Sequence, residues 1–205
     1  MYEQTTPFGR KLAGASLVAA PLLLSFSTFF WQKGEYGVTG GTLLVLSQVF
    51  WIVTFTTLFN SLKTVMPQYA SIGLLVAIYG CISGALFGFV GVFSAAFDIS
   101  HQSYLQAAAA YPLSFNLLLF WAGPLFPLSL LVLGINLIRK HVVPVWTGVL
   151  ICLGAIAFPL SRIQRVEVLA HAADVLLAVP LIYIGLLYLV NDLKTKHNFS
   201  TPRAQ

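Results

Sequence analysis

The run EVLAHAADVLLAVPLIYIGLLYLV, Glu167 to Val190, decides the fold. Its later part carries no charged residue and is rich in Leu, Val and Ile. About 20 such residues in α-helix cross the ~30 Å hydrocarbon core of a bilayer. Its opening turns are different in character. Glu167, His171 and Asp174 lie there, and Arg162 and Arg165 stand just before them. Ionisable groups at membrane depth are costly, so they face a bundle interior or a water-filled cavity rather than lipid. The run therefore reads as one helix of a larger membrane bundle.

Five further apolar runs extend that reading towards the N-terminus. The spans are 12–31, 40–60, 69–94, 112–138, 143–160 and 167–190, followed by a polar tail, 191–205. The first could pass for a secretory signal, since Arg10 and Lys11 precede it. It is too long, and Thr28-Phe29-Phe30 stands where a small-x-small cleavage site would be needed. Composition agrees with six spans: 8% of residues are charged and 58% hydrophobic, where a soluble domain carries about 25% charged. The fold expected is a single all-α transmembrane bundle of six helices. The longest connection, Phe97 to Tyr111, ends in Ala107–Ala110, which favour a short helix at the membrane surface.

The formal charge of +5 does not point to nucleic acid, because the basic residues form no patch with interleaved aromatics. They sit at alternate ends of the apolar runs. Arg10, Lys11, Lys63, Arg139, Lys140, Lys194, Lys196 and Arg203 fall on one side, and Lys33, Arg162 and Arg165 on the other. The positive-inside rule then places both termini in the cytoplasm. Cys81 and Cys152 each lie within an apolar run and read as packing residues.

Glu167, His171 and Asp174 are the most specific feature. At about 100° per residue they fall within roughly 60° of one another on one helix. At about 1.5 Å per residue, Asp174 lies roughly 10 Å deeper than Glu167. Asp98 and His101 belong to a connection on the same side of the membrane and can fold over the same opening. Several chemistries use such a set. A divalent metal takes imidazole nitrogen and carboxylate oxygen together, with His171 and Asp174 as candidate ligands. His171 can act as a general base, with the arginines holding an anionic headgroup. His171 and Asp174 can relay protons or bind a transported ligand. The same residues also fit a purely structural ion-pair network, with Arg162 and Arg165 neutralising Glu167 and Asp174. No cofactor is otherwise indicated: no nucleophile elbow, phosphate loop or His-Glu-x-x-His pattern is present.

Two further patterns bear on packing. Gly80, Gly84 and Gly88 recur every fourth residue and stack on one helix face. Such a face lets another backbone approach closely, within the bundle or in a homo-oligomer or partner complex. Gly123, Pro124 and Pro127 make the fourth span the most irregular, and so a candidate wall for any cavity.

The second half of the chain resembles a segment of small multi-pass bacterial membrane proteins of unknown function. The matching residues are Gly123-Pro124-Leu125-Phe126-Pro127-Leu128, Leu133-Gly134, Arg139, Val143-Pro144-Val145-Trp146-Thr147-Gly148-Val149-Leu150, Leu153-Gly154, Phe158-Pro159 and Arg162. His171 and Asp174 in the last span fit the same pattern. The resemblance implies a bacterial inner-membrane location and brings no activity. The functional expectation is a polytopic membrane protein, non-catalytic or binding or transporting a small ligand at a polar site under the outer face. The alternative is a membrane-embedded metal- or acid-base-dependent enzyme acting on a lipid or small lipophile.

Overall fold

A computed structural model describes residues 6–32 and 34–199, with the backbone path alone for Gln32 and residues 191–199. Lys33 and Arg203, and the side chains of Lys194 and Lys196, therefore lie outside the described residues. So does the end of the tail, from residue 200.

The chain is helical almost throughout. Its helices are α1 (Pro7–Phe29), α2 (Val38–Leu62), α3 (Pro67–Ala96), α4 (His101–Ala110), α5 (Pro112–Phe115), α6 (Leu125–Arg139), α7 (Val145–Gln164) and α8 (Glu167–Phe199). Between α5 and α6 runs a π-helical turn, Asn116–Phe120. Six stretches are long and apolar enough to cross a membrane, counting Pro112–Arg139 as one and Glu167–Val190 as the apolar part of α8. They agree closely with the six apolar runs, and the protein is an integral, polytopic membrane protein. Local chemistry sets several starts. The Thr6 hydroxyl accepts the Gly9 N–H at 3.1 Å, and Pro7 occupies the first turn, where its missing N–H costs nothing. Ser100 caps α4 in the same way, accepting from Ser103 N–H at 3.2 Å.

One bound differs from the sequence expectation. The helix α7 does not stop near Pro159 but continues to Gln164. A proline inside a packed membrane helix removes one backbone bond and kinks the helix without ending it. The backbone of the tail stays helical as far as Phe199.

The six long helices close into a ring. Each packs against its chain neighbour, α1 also packs against α8, and the most sparsely packed joint is α3 against α6. Apolar burial does not drive helices together inside lipid, so close backbone approach matters more. Glycine pairs provide it at three joints. Gly14 faces Gly185 between α1 and α8, Gly41 faces Gly88 between α2 and α3, and Gly134 faces Gly148 between α6 and α7. Aromatic side chains fill the middle. The Phe126 ring meets Trp51 and Phe55 edge-on, with centroids 5.0 and 5.7 Å apart.

The face of Gly80, Gly84 and Gly88 is occupied inside this ring. A Cβ on Gly80 would meet the Phe126 backbone, one on Gly84 the Gln48 side chain, and one on Gly88 the Gly41 carbonyl. The small residues of this face serve packing within the chain.

Candidate functional site

Three connections converge at one end of the ring. The first is a two-residue hairpin, β1 (Trp31–Gln32) and β2 (Glu35–Tyr36), paired antiparallel. The second is α4. The third is the link between α7 and α8, reduced to Arg165 and Val166. Gly34 makes the hairpin turn with φ 78°. A side chain there would be strained and would also strike the Arg165 Cβ, so the hairpin lies directly on the α7–α8 link. Arg165 itself takes a left-handed conformation, φ 55°, which closes α7 where glycine is the usual residue.

This geometry separates the two arginines. Arg162 lies within the last turn of α7 and points into the bundle. Its Nη2 donates to Asp174 Oδ1 at 2.6 Å and to Thr28 Oγ1 at 3.2 Å. Its Nη1 donates to Ser161 Oγ at 2.9 Å and to the Ala170 carbonyl at 3.2 Å. Thr28 donates its hydroxyl to Asp174 Oδ2 at 2.6 Å, so both carboxylate oxygens are engaged. The guanidinium lies over the Phe158 ring, 4.3 Å from its centroid, and near Trp31 at 5.5 Å. Thus α1, α7 and α8 are tied by one charge-assisted network, with side chains 13% and 1% exposed at Arg162 and Asp174. A pair that dry is held by its hydrogen bonds, because either charge alone would be stranded.

Arg165 belongs to a second, wetter cluster. Its Nη1 donates to Glu35 Oε1 at 2.7 Å, and its Nη2 stands 3.2 Å from His101 Nε2. His101 Nδ1 lies 3.7 Å from the same Glu35 oxygen. These groups are about two-fifths exposed, 38% for Arg165 and 44% for Glu35. The cluster joins the hairpin, α4 and the α7–α8 link, and so holds α4 over the end of the ring.

The residues singled out in the sequence separate accordingly. Asp174 and Arg162 form the dry network, and His101 and Arg165 the wet one. His171 packs its ring on Phe29, centroids 4.4 Å apart. Glu167 and Asp98 are exposed, and no ion pair to either is found among the described residues. The acid beside Arg165 is Glu35, not Glu167. Among the described residues no group of three or more His, Cys, Asp or Glu side chains converges as a metal shell would require.

Between the two clusters opens a cavity of about 530 Å³. Glu35, His101 and Arg165 surround its mouth, and Tyr104 and Leu105 of α4 form a lid. The wall includes Arg162, Phe87, Phe126 and Phe158, and Gln48 of α2 reaches it from within the bundle. The cavity sits at the loosest joint of the ring, and span four explains the looseness. Pro124 and Pro127 lack the N–H groups that would bond the carbonyls of Phe120 and Gly123. The chain there runs as a π-turn and then a hydrogen-bonded turn, and Leu119, Phe120, Gly123, Pro124 and Pro127 all line the space. The expectation that this span walls a cavity is met. Hydroxyls from α3 steady the irregular backbone: Tyr79 donates to the Leu117 carbonyl, and Ser83 to that of Leu119 at 3.2 Å.

The chain matches no protein-family model, no curated protein and no solved structure.

Sequence reasoning overlooked Thr28, Glu35, Gln48 and Tyr36 as site residues. Gln48 left a legible trace, as the one side-chain amide in the middle of the second apolar run. Thr28 left none, since hydroxyls are common in membrane helices, where they bond back to their own backbone. Tyr36 lies beside Arg162. Burial pushes its phenol above the usual tyrosine range, against the opposing pull of the Arg162 charge. Burial likewise raises Tyr104.

Proposed function

We propose that this protein is a non-catalytic membrane protein that binds a small lipophilic ligand in the cavity between α2, α3, α6 and α7. The cavity itself is the observation that supports this reading. At about 530 Å³ it falls within the ~300–1,000 Å³ of sites that hold drug-sized molecules. Its lining is mainly aromatic and aliphatic with a few polar groups, the composition such sites share. The Arg162–Asp174–Thr28 network is then the frame that fixes one wall, and the Arg165–Glu35–His101 cluster is the latch on the lid. Arg162, Arg165 and His101 are thus ligand-site residues by position, while Asp174 acts behind the wall. We infer also, from the bias of lysine and arginine and from the resemblance noted above, that the mouth faces outward from a bacterial inner membrane with both termini in the cytoplasm.

The test is to fill the cavity. Val90 lines it, and Val90→Trp should displace whatever occupies it, with Ser94→Leu as a milder alternative. Wild-type protein purified in lipid nanodiscs should carry a small lipophile, detectable by mass spectrometry of a solvent extract. The filled variant, melting at the same temperature, should lose it. An identical extract from both proteins would defeat the proposal.

A further inference from the structure

The cavity carries polar atoms that nothing in the chain satisfies. Gln48 is 3% exposed. Its Nε2 reaches Ser47 Oγ at 3.4 Å, while Oε1 has no partner. The Tyr104 hydroxyl in the lid is likewise buried and unpartnered. Buried polar groups are nearly always hydrogen-bonded, so two open ones on residues that line one space point to what fills it.

Charge narrows the class further. Both guanidiniums that face the cavity are already neutralised, Arg162 by Asp174 at 2.6 Å and Arg165 by Glu35 at 2.7 Å. An anion entering would compete with a carboxylate already bonded in place. A cation would meet two guanidiniums across an apolar lining. Neither sign is matched, and hydrogen bonding alone remains to orient a ligand.

We infer, building on the cavity reading, that the ligand is an uncharged amphiphile with a hydroxyl group at its buried end and an acceptor oxygen towards the mouth. The hydroxyl meets the Gln48 amide. Because a hydroxyl both donates and accepts, it fits that amide in either orientation. The apolar body lies among Phe87, Phe126 and Phe158. The acceptor oxygen takes the open hydroxyl of Tyr104.

The experiment uses the full chain in lipid nanodiscs, with empty nanodiscs as blank, and three probes of one shape: naphthol, naphthoate and naphthalene. Titration calorimetry should show saturable naphthol binding, one per chain, at least tenfold tighter than naphthoate. Gln48→Leu and Tyr104→Phe should each weaken naphthol about 2- to 10-fold, the range for one hydrogen bond, and leave naphthalene unchanged. Tyr104→Phe removes a single oxygen in the lid, so it reports even if Gln48→Leu folds poorly. Naphthoate binding as tightly as naphthol, or naphthol indifferent to both substitutions, overturns the uncharged class while the cavity reading stands. If naphthol and naphthalene both fail to bind wild type, or bind Val90→Trp equally well, the cavity reading falls and takes this inference with it.

Discussion

At the scale of single residues, the two arginines of the α7–α8 junction differ by their surroundings. Arg162 and Asp174 are dry, and removing one partner strands the other. Asp174→Ala should cost about 3–5 kcal/mol of stability, as for other buried pairs broken on one side. Arg162→Met with Asp174→Leu should recover most of that loss, since no charge is left behind. Arg165→Ala, in a cluster open to water, should cost less than about 1 kcal/mol. Thermal denaturation in one detergent ranks all three. Equal losses at Asp174 and Arg165 would count against the distinction. Tyr36 gives a second prediction. Its folded pKa is raised, so its stabilising contribution is complete below the ordinary tyrosine value of about 10 and is lost as pH rises beyond it. Above that pH the wild-type melting temperature should fall more steeply than that of Tyr36→Phe, and parallel curves would refute the assignment. None of this contrast was legible in the sequence. Four charged residues close together there gave no sign of which would be dry, because Thr28 and Glu35, the deciding partners, lie more than a hundred positions away along the chain.

At the scale of helices, the glycines of α3 make a graded test. A Cβ at Gly80 would lie 2.5 Å from the Phe126 backbone nitrogen, and one at Gly88 would lie 2.8 Å from the Gly41 carbonyl. Backbone cannot step aside, so Gly80→Ala and Gly88→Ala should each lower stability by about 1–3 kcal/mol, as overpacking does. At Gly84 the obstacle is the tip of the Gln48 side chain, 2.9 Å away, which can rotate. Gly84→Ala should be the mildest of the three by thermal denaturation, and a ranking with Gly84 worst would contradict the packing described. The sequence pattern announced this face correctly but not its occupant. Periodicity fixes which residues share a face, while the neighbour depends on how six helices are ordered around the ring. Pro124 and Pro127 were more informative, because a proline inside a span withholds a backbone bond whatever helix lies beside it.

At the scale of the whole molecule, the apolar runs revealed the number of long apolar helices and their approximate places, since bilayer thickness imposes length on each one. Closure of the ring was not visible, because nothing in a run of leucines names its neighbour. Orientation remains a matter of charge bias, and a fusion test addresses it. A green fluorescent protein joined after Gln205 should fluoresce, and alkaline phosphatase joined there should be inactive, if that end is cytoplasmic; the reverse pair of results would invert the bundle. The contact of α1 with α8 carries one more consequence, for synthesis. The segment that must receive Asp174 is made early, and Asp174 itself emerges well over a hundred residues later. Until then Thr28 and the Gly14 face have no companion, and the ring stands open on that side. Arg162 leaves the ribosome just ahead of Asp174, so the two charges can enter the membrane as a neutral hairpin. The nascent protein thus spends most of its synthesis as an unlocked chain, and the last helix to arrive turns the key.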